Sequence, residues 1–167
     1  MRTDDRIAEL TQDADGVDVT FAGGDRRRFE LVIGADGLHS ALRAMVFGPR
    51  EQFVLHLGLV LAFYSVPNEF GLDRWLIDYQ EAGRSAGLRP IRDATQAIAM
   101  FSFPSPAFDI DYRDVEAQKR LVRKQMAGIG WLTPGILSHL DDTPDFYLDQ
   151  VAQVVMDRWH IGRVGLL

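Results

Sequence analysis

Apolar positions along this chain alternate more often than they repeat at helical spacing. Arg6 to Leu10 and Val17 to Phe21 read as short strands around the turn residues Asp13-Ala14-Asp15-Gly16. A second turn at Ala22-Gly23-Gly24-Asp25 leads to a third strand from Phe29 to Ile33, which makes residues 6 to 33 a small antiparallel meander. Ser40 to Met45 reads as a short helix. The apolar run Phe53 to Val66 is rich in β-branched and aromatic residues and reads as a buried strand that Pro67-Asn68 ends. Strands are also expected at Trp75 to Tyr79, Ala86 to Arg89 and Ala97 to Phe103.

Helical spacing is clearest from Asp114 to Ala127. Asp114 suits an N-cap, Gly128 a stop, and Val115, Leu121, Val122 and Met126 fall near one face. Thr133-Pro134 predicts a shorter helix through Leu140, with Thr133 as cap and Pro134 first. Phe146 to Met156 and Trp159 to Leu167 read as two more strands joined by a tight turn at Asp157 and Arg158. The pattern predicts an α+β fold: a largely antiparallel or mixed sheet covered on one face by helices.

Composition narrows the function. Of 167 residues, 47% are hydrophobic and 25% charged, which suits a folded globular chain. The net charge of -6 argues against a nucleic-acid partner, and the one basic run, Arg26-Arg27-Arg28, reads as a solvated strand edge. With no cysteine there is no disulfide, thiol catalysis or thiolate metal site. His39, His56, His139 and His160 show no ligand spacing, so no metal is expected. The first ten residues carry acids where a signal peptide needs an apolar core, and Phe53 to Val66 is too short to cross a bilayer. No membrane partner and a cytoplasmic location are the expectation.

The candidate chemistry sits in "ELVIGADGLHSALR", residues 30 to 43. A strand enters a glycine-rich turn and a helix follows, an arrangement whose free amides favour anions. Asp36 suits ribose hydroxyls or caps the helix. Ser40 also suits a cap, and Arg43 is placed to pair with Asp36 or to face a phosphate. Elsewhere, Trp75, Phe101 and Phe103 either face a substrate or, more in keeping with strand aromatics, fill the core. Arg84 and Arg89 either meet an anionic group or are ordinary surface arginines.

The same string resembles the second nucleotide-binding motif of the flavoprotein aromatic hydroxylases, the para-hydroxybenzoate hydroxylase-like monooxygenases. Gly34, Ala35, Asp36, Gly37, Ser40 and Arg43 fill its fixed places. "VVMDRWHIGRVGLL" is similar to the strand that runs into the family's third motif, through Trp159, Gly162, Arg163, Val164 and Leu167. "EAGRSAGLRP" and "AMFSF" resemble strands of its substrate domain. The resemblance implies FAD, with Gly34, Asp36, Gly37, Ser40 and Arg43 at the cofactor, and NAD(P)H as reductant. It implies a small aromatic or polyketide-like substrate for a hydroxylating monooxygenase, and it names no catalytic residue.

The family's Gly-x-Gly-x-x-Gly motif is absent; Gly128-Ile129-Gly130 has Thr133 where the third glycine belongs. The resemblance therefore implies a middle portion. Residues 1–47 belong to a partial FAD domain, 48–157 to a substrate domain and 158–167 to a strand returning to the FAD domain. Such a portion is expected to be inactive alone, or to act as a binding or interaction module. Bare apolar surface and an unpaired edge at Trp159 to Leu167 predict a homodimer or strand-exchanged assembly.

Overall fold

A computed structural model describes residues 5–92 and 95–167. The chain divides into two compact units, Met1–Leu55 with Ala152–Leu167, and His56–Val151.

In the first unit, β1 (Ile7–Gln12), β2 (Val17–Phe21) and β3 (Arg26–Phe29) form the antiparallel meander. Its first turn closes because the Asp13 carboxylate accepts from the backbone N–H groups of Asp15 and Gly16, at 2.8 and 2.9 Å. Arg28 spans that carboxylate and Asp18, so the basic run is a paired and solvated edge.

The strand expected over Phe29 to Ile33 is two strands. β3 ends at Phe29, and β4 (Val32–Gly34) joins another sheet. The break is held by Arg163, whose guanidinium donates to the Glu30 carbonyl at 3.0 Å while its own carbonyl accepts from Val32 N–H at 3.0 Å. Trp159 to Leu167 likewise is not one strand. β10 (His160–Ile161) and β11 (Val164–Leu166) form a hairpin whose tight turn is at Gly162, φ +55°, rather than at Asp157-Arg158. β11 lies between β10 and β4 and pairs with β4 in parallel, so it is a central strand and not the unpaired edge expected of it. Leu42 of α1 (Ala41–Val46) packs with Val17, Val19, Val164 and Leu166 to form this unit's core.

The second unit is built on a sheet ordered β6-β7-β8-β5-β9. Its strands are β5 (Val54–Pro67), β6 (Ile77–Glu81), β7 (Arg84–Pro90), β8 (Gln96–Pro104) and β9 (Tyr147–Val154). The alternation in β5 sends Val60, Ala62, Tyr64 and Val66 to one face. There they meet Phe101 and Phe103 of β8, Val122 and Met126 of α2 (Val115–Met126) and Ile136 of α3 (Thr133–Ser138).

Asp114 caps α2, accepting from Ala117 N–H at 2.8 Å, and Gly128 at φ +78° follows its end. The α3 expectation is corrected at both ends. Leu132 holds the cap position, Thr133 is inside the helix with its side chain buried, and the helix stops at Ser138. Helices thus cover one face of a mostly antiparallel sheet, an α+β fold.

Candidate functional site: the Gly34–Arg43 turn

Two glycines set the turn's shape for different reasons. A Cβ on Gly34 would stand 2.7 Å from Leu42 Cδ2 and 2.9 Å from Leu166 Cδ2, so the absence of a side chain lets β4 lie against α1 and β11. Gly37 has φ +71°, and among the described residues no atom lies within 4 Å of where its Cβ would be. Its open side is available to a ligand's close approach.

The polar groups close the turn on itself. Asp36 Oδ2 accepts from Leu42 N–H at 3.1 Å, and Ser40 Oγ accepts from Arg43 N–H at 2.9 Å. Partial burial pushes the Asp36 carboxyl up, but hydrogen bonds from the Ser40 hydroxyl and from backbone N–H groups, Leu42's and Ala41's among them, outweigh it. The net shift is below the usual carboxylate range. Both residues therefore cap α1, and the amides that sequence reasoning offered to an anion are already occupied.

Arg43 does not pair with Asp36. Its side chain is buried, and its guanidinium turns back to donate to the carbonyls of Leu38 at 2.6 Å and Gly37 at 3.4 Å, leaving Nε without a partner among the described residues. It ties the turn from behind. What faces outward is Ala35, Asp36 and Gly37, all exposed.

The second contributor was visible only as a string similarity. Gln12 at the end of β1 donates to the Ile161 carbonyl at 3.1 Å and accepts from Arg163 N–H at 2.8 Å. Arg163 also donates from Nε and Nη2 to the Ala14 carbonyl, at 2.9 and 2.7 Å. This staple fixes β11, and β11 fixes β4, the strand that delivers Gly34 to the turn. Gln12 carried no pattern signal, because a polar residue at a strand end looks like any other.

No protein-family profile matches the chain. An uncharacterized protein of Mycobacterium tuberculosis is 45% identical over 164 residues, covering 98% of this chain and 44% of that protein. A flavin-dependent monooxygenase of Legionella longbeachae is 35% identical, covering 96% of the chain and 41% of that protein. Among solved structures, the tetracycline destructase Tet(55) superposes with a TM-score of 0.88 at 36% identity, over 98% of this chain and 44% of that one. Klebsiella pneumoniae HpxO, complexed with FAD and uric acid, gives 0.73 at 25% identity, over 98% and 41%. These relatives and neighbours support a place for the chain among the FAD-dependent aromatic hydroxylase-like monooxygenases. It spans less than half the length of the flavin monooxygenases it matches.

FAD is thus the cofactor of this monooxygenase family, and the turn fits it in part. The exposed Asp36 and the open side of Gly37 suit a ligand passing over the turn, whereas the guanidinium of Arg43 is spent internally.

The remaining candidates sort clearly. Phe101 and Phe103 are buried against the helices and are core. Trp75 is 74% exposed. Arg84 donates to the carbonyls of Gln125 and Ala127 at the end of α2, at 2.7 and 3.2 Å, a structural task. Arg89 is exposed. Among the described residues no three His, Cys, Asp or Glu side chains are placed to hold a metal, and no helix is long and apolar enough to cross a membrane.

Sequence reasoning missed a polar cluster on β9. The nearly buried Asp149 accepts from the hydroxyls of Tyr112 at 2.9 Å and Tyr147 at 3.1 Å, and Tyr147 also stacks on Phe63. Burial and the Asp149 charge both push the Tyr147 phenol up, so it stays a donor. The i, i+2 spacing of Tyr147 and Asp149 on β9, which puts both on one face, was the available signal.

Proposed function

We propose that this chain is the middle segment of an FAD-dependent, NAD(P)H-using monooxygenase that hydroxylates an aromatic or polyketide-like small molecule. Residues 1–47 and 158–167 take the flavin side and residues 48–157 the substrate side. The observation that carries the reading is the Gly34–Arg43 turn, closed by its own side chains and open over Ala35, Asp36 and Gly37. In it, Asp36 and Gly37 touch the ribose and pyrophosphate region of the cofactor, while Gly34, Ser40 and Arg43 hold the turn in shape. When bound, FAD supplies the oxygen-transfer chemistry.

The relatives' names, a tetracycline destructase and a uric acid complex, support a flat ring substrate. The isolated chain, which lacks the pyrophosphate-binding glycine motif, is a half-site and inactive alone. Exposed Leu31, just before β4, and Ile33, within it, favour self-association, which light scattering across a wide concentration range reads directly.

An FAD titration of the purified chain, followed by flavin fluorescence, tests the half-site. Binding no tighter than millimolar, about -4 kcal/mol, is expected. Micromolar binding abolished by Asp36→Ala would instead show a self-sufficient site, and micromolar binding unaffected by it would remove the turn from the cofactor altogether.

A further inference from the structure

The sheet of the second unit ends in two edge strands, β9 and β6. The first is engaged: the Gln150 side chain of β9 exchanges two hydrogen bonds with the Phe108 backbone, at 3.0 and 2.6 Å. The second is bare. β6 keeps unbroken register with β7 and has no bulge, proline or lysine to blunt it. Its hairpin turns on Ala82 and Gly83, at φ +50° and +80°. A two-residue turn of this kind closes on a hydrogen-bonded pair, here Glu81 and Arg84. The backbone groups of Ile77, Tyr79 and Glu81 therefore face β7, and those of Leu76, Asp78 and Gln80 face outwards. Among the described residues nothing bonds to that outward row.

The edge is ready for an incoming strand. The Tyr79 ring stacks on Trp131 at 5.8 Å and its hydroxyl donates to Glu81 at 2.9 Å, which fixes the middle of β6. Asp78 and Gln80 are exposed, and so are Trp75 and Leu76 just before the strand.

The sequence of β6 also fits itself. An antiparallel copy forms hydrogen bonds only where outward residues stand opposite outward residues. Centred on Asp78, that pairing opposes two carboxylates, which is unfavourable. Centred on Tyr79, Asp78 meets the Gln80 amide of the second copy, Leu76 meets Ala82 and Trp75 meets Gly83. Gly83 offers the indole a bare seat, because a Cβ there would stand 3.8 Å from the Pro104 ring and Gly83 has none. Centred on Gln80, Trp75 meets Ser85 instead and that seat is lost.

We propose that β6 is an interface for a second copy of this chain, paired antiparallel about a two-fold axis at Tyr79, with Trp75 of each copy over Gly83 of the other. The inference rests neither on flavin nor on Leu31 and Ile33, which lie in the other unit.

The test is disulfide crosslinking of the full chain, which has no cysteine of its own. Asp78→Cys and Gln80→Cys chains are oxidised with copper-phenanthroline, alone and mixed. In the proposed register positions 78 and 80 stand opposite each other at about 5.5 Å between Cα atoms, within disulfide reach. Like positions are diagonal, at about 7–8 Å, and beyond it. The mixture should crosslink at least about fivefold faster than either chain alone. Adding Gln80→Pro to the Asp78→Cys chain removes an outward N–H that β7 does not use, and should slow the mixed crosslink about tenfold with circular dichroism unchanged. Trp75→Ala should slow it as well. No crosslink, self-crosslinking as fast as the mixture, or a rate indifferent to Gln80→Pro overturns the proposal. The readout is specific to β6, so association through any other surface leaves it unmoved.

Discussion

The Oε1 atom of Gln12 accepts from the backbone N–H of Arg163 at 2.8 Å, joining residues 151 positions apart. Gln12 supplies both halves of an amide pair to the β10–β11 turn, taking the place of a strand there. Gly162 must lack a side chain for this to happen, since a Cβ would overlap the Gln12 amide. Gln12→Ala removes two partly buried hydrogen bonds and is expected to cost about 1–2 kcal/mol. Urea unfolding measures this, and Gln12→Glu should cost at least as much because a carboxylate cannot donate to Ile161. An unchanged midpoint in both variants would mean the staple contributes nothing.

The two glycines of the candidate site separate packing from backbone strain. Gly34→Ala drives a methyl into Leu42 and Leu166 and should destabilise the fold by about 1–3 kcal/mol. Gly37→Ala meets no atom and pays only for its left-handed backbone, about 1 kcal/mol. Thermal melts of the pair should rank Gly34→Ala as the worse variant. The reverse order would mean that the turn's backbone strain outweighs packing.

Acid sensitivity should be traceable to two carboxylates. Asp13 is held at about 2 by the hydrogen bond from Arg28 first and by the N–H groups of Asp15 and Gly16 next. Asp36 is also lowered, as its hydrogen bonds outweigh burial. A folded-state pKa below the unfolded value contributes stability that is complete above the unfolded value of 3.8 and disappears as pH falls through the folded one. Stability should therefore drop between about pH 4 and 2. Asp13→Asn and Asp36→Asn should each flatten that limb while lowering stability at neutral pH. Melting temperatures across this range decide it: a limb of unchanged steepness in both variants would place its origin in other carboxylates.

Much of the fold was legible because one face of each element is buried and the other is not. The β-branched and aromatic run Phe53 to Val66 and the cap at Asp114 are local signals, and both predicted their elements to within a few residues. The errors fell where a distant group decides. Glu30 and Leu31 look like strand continuation until Arg163 claims the Glu30 carbonyl. The Trp159 to Leu167 run looks like one strand until Gly162 turns it towards Gln12. At the site, the resemblance named the motif's residues. That Asp36 would fill the helix start itself, and Arg43 turn inward, depends on rotamers that spacing does not encode.

Thr133 illustrates a local signal overridden by tertiary packing, and it makes a prediction opposite in sign to most. Thr-Pro favours Thr as a helix cap, yet here Thr133 is one position inside α3, fully buried, and its hydroxyl has no hydrogen-bond partner among the described residues. A buried hydroxyl without a partner forfeits its solvation for nothing, a loss of about 1–3 kcal/mol. Valine has the same shape without that penalty, so Thr133→Val should raise stability by about 1 kcal/mol. Tyr64 provides the contrast, because its buried hydroxyl donates to the Ile136 carbonyl at 2.9 Å within the same core. Tyr64→Phe strands that carbonyl and should lower stability by about 1–2 kcal/mol. Guanidinium titrations of the two variants should shift in opposite directions; a loss of stability in Thr133→Val would show that its hydroxyl has a partner after all.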